Sequence, residues 1–283
     1  MPLFRRTPVL PVLRLSGPIG MATPLRPGLS LAGLSGAIEK AFTMSKVPGV
    51  AVVINSPGGS PVQSHLIFQR IRQLAAENNK RVHVFCEDVA ASGGYFLALA
   101  GDEIFADPSS IVGSIGVVTA TFGFDKAIEK FGVERRVYTA GFNKSQLDPF
   151  LPEKAEDVER LKTLQRDVHD VFISIVKDRR AARLKGADQE LFSGAFWSAP
   201  RALDFGLIDG IGEVRSRMKE VYGERVRLVQ VPIGKQGLLS RFRRLPGLGL
   251  LAGAGDGLDG AASFAEDLVS TVEARALWAR FGL

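Results

Sequence analysis

Two successive strand–turn–helix units constrain the fold of this chain more than any other feature. Residues 49–54 form an unbroken apolar run rich in β-branched residues, which is the pattern of a strand covered on both faces. The run ends in a Gly-rich turn at residues 55–60, and residues with helical spacing follow. Residues 82–86 and the Gly-containing turn at 90–94 repeat this order before a second helix. Because this alternation is typical of parallel sheets, we predict an α/β fold with a parallel sheet core flanked by helices.

The flanking segments add further elements to this plan. We predict a first strand at residues 8–15, which its prolines would place at an edge of the sheet. Residues 153–184 are amphipathic and free of Pro and Gly, so their periodicity predicts one long helix. The other predictions are strands at 113–118, 134–139 and 226–231, a helix at 30–43, a short helix between the strands at 113–118 and 134–139, and helices at 199–206 and 212–222.

The texture of the sequence changes after Pro232. Gly, Leu and Ala alternate without a stable period over residues 236–262, and Phe264, Leu268 and Val272 then recur at every fourth residue. We therefore predict a single domain over residues 1–235, followed by a linker and an amphipathic C-terminal helix over residues 236–283. Packing of that helix on its own core or on a sister subunit and its contact with a membrane surface are both open at this point.

Composition and charge exclude several function classes. The net charge is +6 over 283 residues, but residues 46–234 carry only +1, so the folded body lacks the basic stripe of a nucleic-acid groove. One cysteine and three histidines exclude a disulfide framework and most metal sites built from these residues. No signal peptide or membrane-spanning run is visible, so we expect a cytoplasmic protein or one peripheral at a membrane. We expect no nucleic-acid partner, no metal and no cofactor.

Ser92 is the candidate nucleophile. It lies between small residues at a predicted strand-to-helix turn, where its hydroxyl would be exposed beside the first free N–H groups of the helix. A serine that only caps the helix has the same local pattern. Gly59 ends the other Gly-rich turn at the same edge of the sheet, and its N–H could approach an oxyanion because no Cβ obstructs it. An ordinary turn glycine would look the same.

A nucleophilic serine needs a base, and Lys144 is a better candidate than any histidine. None of the histidines (His65, His83, His169) follows a loop at the carboxyl edge of a strand, so a Ser-His-Asp triad is disfavoured. We expect His83 to be a satisfied core residue and the other two to lie on the surface. Lys144 follows a predicted strand, and burial among apolar neighbours (Phe142, Leu147, Phe150) would favour the neutral amine that a base requires. An ordinary surface lysine would have the same local pattern.

Together these residues resemble the signal peptide peptidase A family of bacterial serine proteases, which shares a fold superfamily with caseinolytic protease and crotonase. Five matching pieces occur in family order over about residues 8–231: Asn55–Gly59, Ala91–Tyr95, Val112–Gly116, Gly141–Phe150 and Phe196–Asp209. The resemblance implies a Clp/crotonase-like fold and a Ser-Lys dyad of Ser92 and Lys144. It also implies that the Ser114 hydroxyl orients the lysine and that the backbone N–H groups of Gly59 and Ser92 form the oxyanion hole.

The same resemblance predicts the partners of the protein. The substrates would be apolar peptides such as cleaved signal peptides, and a single-copy domain would form a homo-oligomer in which neighbouring subunits complete each site. Peripheral membrane contact is a further expectation, from the basic first segment and the arginines near residues 241–244. Two alternatives remain: a crotonase-type acyl-CoA enzyme, which would need a carboxylate near the reacting carbon, and a non-catalytic, membrane-associated oligomeric scaffold.

Overall fold

A computed structural model describes residues 7–20, 28–233, 271–272 and 275–283. Within them, eight strands form one sheet. The strands are β1 (Val9–Ser16), β2 (Gly49–Ser56), β3 (Arg81–Ala91), β4 (Glu103–Ala106), β5 (Ile111–Gly113), β6 (Phe196–Ser198), β7 (Gly210–Ile211) and β8 (Arg227–Gln230). The helices are α1 (Leu31–Thr43), α2 (Pro61–Glu77), α3 (Gly93–Ala98), α4 (Asp125–Lys130), α5 (Ala155–Arg180), α6 (Asp188–Leu191), α7 (Ala199–Asp204) and α8 (Val214–Tyr222), with a 3-10 turn at Ala181–Arg183.

The sheet is almost entirely parallel, which confirms the predicted fold class. Its main path runs β6-β5-β3-β2-β1-β8, with β4 beside β3 and β7 beside β4. Among these pairs only β5 with β6 is antiparallel. The central strand β2 is buried along nearly its whole length because helices pack against the sheet, as its unbroken apolar run predicted. The carboxyl ends of β2, β3 and β5 therefore meet at one edge of the sheet, where sites of parallel sheets form.

Two strand predictions are wrong, and both lie after β5. The strand predicted at 113–118 ends at Gly113, and residues 134–139 form no strand, although the short helix predicted between them is present as α4. A strand needs a neighbour for its backbone N–H and C=O groups. No strand among the described residues lies beside 134–139, so its apolar pattern alone does not produce one.

The first strand is not at the edge that its prolines predicted. β1 lies between β2 and β8 and is parallel to both. Its pairing with β2 begins at Val12, directly after Pro11, so that ladder starts beyond the last proline of the strand. The prolines therefore shorten one ladder instead of excluding a neighbour.

A buried ion pair holds the long helix α5 against the sheet. Arg180, with 1% of its side chain exposed, donates two hydrogen bonds to the Asp209 carboxylate, at 2.8 and 3.0 Å, and a third to the Gly206 carbonyl oxygen. Asp209 also accepts from the backbone N–H of Ile104 on β4. Burial, the largest single influence, would raise the pKa of the Asp209 carboxyl. The hydrogen bonds and charge of Arg180, together with the Ile104 N–H and the charge of Arg183, outweigh burial and hold this pKa below its usual value.

Replacing Arg180 with methionine is expected to lower the free energy of unfolding by about 3 kcal/mol, because the Asp209 carboxylate would lose its buried partner. Denaturant titration of both proteins measures this loss. The matched control is Arg201→Met, which removes an exposed arginine 3.7 Å from Glu190 and should cost less than about 1 kcal/mol. Equal losses in the two variants would contradict the anchoring role of Arg180.

The C-terminal part of the chain is described only near its end. Phe264 and Leu268 of the predicted amphipathic stripe, the boundary near residue 235 and the linker lie outside the described residues. Residues 275–279 are helical, and Phe281, only 8% exposed, packs with Val89, Ala91, Ile111 and Trp278. This end of the chain therefore contacts the sheet. Among the described residues, no helix has both the length and the apolar character needed to cross a membrane.

Candidate functional site

Ser92 lies at the turn between β3 and α3 in a strained backbone conformation. Its φ of 52° and ψ of −123° place a non-glycine residue in a region that L-residues rarely adopt. Gly58 makes this turn sterically feasible, because a Cβ on Gly58 would lie 2.8 Å from the Ser92 Cβ and 2.9 Å from the Gly93 nitrogen. The two Gly-rich turns that the sequence placed at one edge of the sheet are therefore in direct contact at Ser92.

The backbone N–H groups near Ser92 correct the predicted oxyanion hole. The Ser92 N–H donates to the Gly113 carbonyl oxygen at 2.8 Å, so it is not free to bind an oxyanion. The N–H groups of Gly59 and Gly93 donate to no acceptor among the described residues. They are also close together, because a Cβ built on Gly93 would lie 3.3 Å from the Gly59 nitrogen. Within the described part of the chain, the two backbone amides beside Ser92 that are open to an oxyanion are thus those of Gly59 and Gly93.

Ser114 is brought to the same place as Ser92. It is 4% exposed, has a φ of 54°, and donates its N–H to the Ala195 carbonyl oxygen at 2.7 Å. Both serines line one cleft at the carboxyl edge of the sheet. Ser114 and Ser92 therefore lie in one cleft of the same chain, and the predicted contact of the Ser114 hydroxyl with Lys144 stays a prediction.

Two clefts of different character meet at Ser92. The apolar cleft, about 250 Å³, extends from Ser92 and Gly93 between α2 and α5. Its wall is formed mainly by Pro61, Val62, Leu66, Phe96, Val168, Val171 and Phe172. The polar cleft, about 350 Å³, extends from Ser92 in another direction, and its polar side chains are Ser114, His169, Ser193 and Arg280. Ser92, Gly116 and Val117 line both clefts, so the nucleophile stands at their junction.

Lys144 is not at this junction in the subunit that carries Ser92. It lines neither cleft, and its side chain is exposed in a loop of turns at residues 141–147. The expected burial among apolar neighbours is absent in this subunit, since Phe142 is 94% exposed. The predicted strand at 134–139, which would have carried the loop to the sheet, has no neighbouring strand among the described residues.

The loop that carries Lys144 continues a large exposed apolar surface, which we call the apolar segment (residues 118–142). Large hydrophobic side chains are exposed throughout it, with Phe131 at 84% and Tyr138 at 90%. The others are Val118, Phe122, Phe124, Val133, Val137 and Phe142. A contiguous patch of this kind marks an interaction surface more often than a free one.

The two histidines expected on the surface are half-buried in the walls of the clefts. His65 lines the apolar cleft, where its ring lies 5.7 Å from the Phe96 ring, and His169 lines the polar cleft and contacts the Ile115 carbonyl oxygen. Both therefore remain on the surface, but at the site and not away from it. The prediction for His83 is confirmed: it is 1% exposed and hydrogen-bonded to Glu103 and Tyr222. The one signal in the sequence for these positions is that each histidine is next to an apolar residue of its helix, His65 to Leu66 and His169 to Val168.

Two other site classes find no support in the described residues. No group of three or more His, Cys, Asp or Glu side chains is arranged to hold a metal ion there. No aspartate or glutamate is among the described residues that line either cleft at Ser92. A crotonase-type enzyme would need such a carboxylate near its reacting carbon, so these linings favour a serine-based reaction.

Comparison with known proteins identifies the relatives of this chain. The model of the family described as Peptidase family S49 matches residues 75–225, which include Ser92, Ser114 and Lys144. A Brucella abortus protein named "Na(+)/H(+) antiporter NhaA" is 56% identical over 97% of this chain. The "Serine protease SPPA, chloroplastic" of Arabidopsis thaliana is 32% identical over 71% of the chain, and the "Putative signal peptide peptidase SppA" of Enterococcus faecium is 29% identical over 59%.

The chain spans less than half the length of each of these relatives. It covers 37% of the Brucella protein, 29% of the Arabidopsis protein and 48% of the Enterococcus protein. Most of the Brucella protein, to which the antiporter name applies, therefore lies outside the match. The protease names of the Arabidopsis and Enterococcus proteins agree with the peptidase family whose model covers the candidate site.

Proposed function

This chain belongs to peptidase family S49, a family of serine peptidases, and from that premise we propose that it is a serine endopeptidase with Ser92 as nucleophile and Lys144 as general base. The observation that carries the proposal is the arrangement at Ser92: a serine in a strained turn, beside two free backbone amides, at the junction of two clefts. This arrangement suits acyl transfer through a tetrahedral intermediate.

The reaction proceeds in two stages. The neutral amine of Lys144 accepts the Ser92 hydroxyl proton as the serine oxygen attacks the scissile carbonyl carbon, and the N–H groups of Gly59 and Gly93 bind the resulting oxyanion. The ammonium of Lys144 then donates that proton to the leaving amine as the peptide bond breaks and the acyl-enzyme forms. In the second stage a water molecule loses a proton to Lys144 as its oxygen attacks the ester carbon. The Lys144 ammonium then returns that proton to the Ser92 oxygen as the ester bond breaks, which releases the acid and restores the serine hydroxyl and the neutral amine.

We place the Lys144 of each site on a neighbouring subunit of a homo-oligomer. Two features support this arrangement: Lys144 is exposed outside both clefts of its own subunit, and the apolar segment beside it is uncovered. A second copy packed on the apolar segment would bury those side chains and insert its lysine next to Ser114 of the first. The Ser114 hydroxyl would then hold the amine by a hydrogen bond.

The substrates we propose are apolar peptides, such as cleaved signal peptides. The apolar cleft beside Ser92 supports this choice because it buries aliphatic or aromatic side chains next to the scissile bond. The printed name of the Enterococcus relative points to the same class. Peripheral membrane contact remains a prediction from the sequence, since it depends on residues near 241–244, which lie outside the described residues.

An acylating serine-protease inhibitor tests whether Ser92 is the nucleophile. Mass spectrometry of the intact protein counts the adducts, and peptide mapping after digestion locates them. We expect one adduct per chain on Ser92, with labelling slowed at least about 100-fold in a Lys144→Ala variant because the base is lost. Ser109→Ala, which removes an exposed hydroxyl in the β4–β5 loop, is the control and should label normally. An adduct on Ser193, the exposed hydroxyl in the polar cleft, would contradict the proposal.

A further inference from the structure

The end of the chain places an arginine beside the nucleophile. Phe281 packs against Val89 and Ala91, so it contacts the last residues of β3, the strand that leads directly into Ser92. Its ring also lies 5.0 Å from the Phe196 ring in an edge-to-face contact, which joins the chain end to the edge strand β6. The preceding residue, Arg280, lines the polar cleft together with Ser92 and Ser114. The aromatic contacts thus fix the position from which Arg280 reaches the site.

Arg280 determines the electrostatics of the polar cleft. Among the described residues that line this cleft, Arg280 carries the one guanidinium, a planar cationic group whose geometry matches that of a carboxylate. No described carboxylate lines the cleft to neutralise it. The apolar cleft, on the other side of Ser92, contains no arginine or lysine among its described residues. The two halves of the site therefore differ in charge as well as in polarity.

We propose that Arg280 is a specificity-determining residue that binds an aspartate or glutamate side chain of the substrate, on the side of the scissile bond opposite the residue held in the apolar cleft. The inference rests on the proposed peptidase function and extends it to a substrate class: peptides in which an apolar residue and an acidic residue flank the bond that is cut. A guanidinium binds a carboxylate through two parallel hydrogen bonds, which neither a neutral glutamine nor a lysine side chain can accept in this way.

The position of Ser92 explains why the apolar residue and the acidic residue of a substrate would be recognised together. A peptide whose scissile carbonyl reaches Ser92 must extend away from it in both directions, and neighbouring residues of an extended peptide are about 3.3 Å apart along the strand. Ser92 lines both clefts, so residues on the two sides of the scissile bond can lie in different clefts. In the proposed mechanism the amine of Lys144 is neutral before attack, so Arg280 is the cation available to a substrate carboxylate.

Matched internally quenched peptides test this assignment. Each set keeps one apolar residue next to the scissile bond and varies the residues across that bond among Glu, Gln and Lys. We expect kcat/KM for the best Glu peptide to exceed that of its Gln counterpart by about tenfold, and the Lys peptide to be the poorest. The advantage of Glu should shrink as salt is raised, because screening weakens the ion pair.

Variants of the terminal segment separate recognition from structural support. Arg280→Gln should reduce the Glu-to-Gln ratio of kcat/KM to about one, because the loss falls on the Glu peptide. Phe281→Ala should reduce the same ratio by releasing the segment. Arg275→Gln, which changes an exposed arginine of the preceding helix at residues 275–279, should leave the ratio unchanged. A wild-type enzyme without a Glu preference, or an equal loss on both peptides in Arg280→Gln, would overturn the assignment.

A binding measurement distinguishes failure of this inference from failure of the peptidase function. Ser92→Ala protein should bind the fluorescein-labelled Glu peptide more tightly than the Gln peptide in fluorescence anisotropy, and the added Arg280→Gln change should remove the difference. If these affinity differences are found but the wild type hydrolyses neither peptide, the proposed peptidase function is wrong and the role of Arg280 stands. If the wild type hydrolyses the peptides but the Ser92→Ala protein binds both equally, the role of Arg280 is wrong and the peptidase function stands.

Discussion

Replacement of Ser92 with alanine is expected to lower kcat/KM for peptide hydrolysis by about 10⁴-fold or more, to near the level of the background reaction. The change removes the oxygen that forms the acyl-enzyme, and neither neighbouring cleft offers a second hydroxyl with both a free oxyanion site and a base. Fluorogenic apolar peptides measure the rate. The free energy of unfolding should not fall, because alanine retains the Cβ and the change removes no packing contact at this turn.

The matched control for this variant is Ser109→Ala, which removes a hydroxyl far from both clefts and should keep the wild-type rate. Gly93→Ala adds an informative intermediate case, because its Cβ would lie 2.5 Å from the Ser64 oxygen and displace one of the two oxyanion amides. Its expected loss is about 10²–10³-fold, the usual effect of losing one oxyanion donor. Activity retained in Ser92→Ala would exclude this residue as the nucleophile.

The parts of the fold that the sequence predicted are those decided by local chemistry. The β2 strand was predictable because every residue of its apolar run is covered, and the turn at Ser92 because glycines mark a close approach of two chain segments. Helix α5 was predictable from its period, with ends within a few residues of those expected. In each case the signal lies within about thirty consecutive residues or fewer.

The parts that were missed depend on residues distant in sequence. The Ser92 N–H is not available to bind an oxyanion, because the carbonyl oxygen of Gly113, on another strand, already accepts its hydrogen bond. Arg280 enters the polar cleft because Phe281 finds an apolar surface on β3, and no local pattern around residue 280 indicates this contact. The predicted strand at 134–139 fails for the related reason that strand formation needs a partner, and the part of the chain that the structure describes places no strand beside it.

The strongest consequence of the proposed intersubunit site is recovery of activity when two inactive proteins are combined. Ser92→Ala and Lys144→Ala should each be inactive alone. Oligomers purified after co-expression of the two variants under different affinity tags should regain about one quarter of the wild-type activity. If each serine is paired with the lysine of a neighbouring subunit and the subunits assemble at random, about one site in four receives both intact residues.

The recovered activity also separates an intersubunit dyad from one in which the loop at residues 141–147 folds back onto its own serine. In the second case every mixed oligomer would contain only half-sites, and no activity would return. Co-expression of Ser92→Ala with the Ser92→Ala, Lys144→Ala double variant supplies the control, since no combination of those subunits contains a nucleophile. Changing Phe131 and Phe142 to serine should abolish both assembly, measured by light scattering, and the recovered activity, because those exposed side chains belong to the surface that must bring the lysine across.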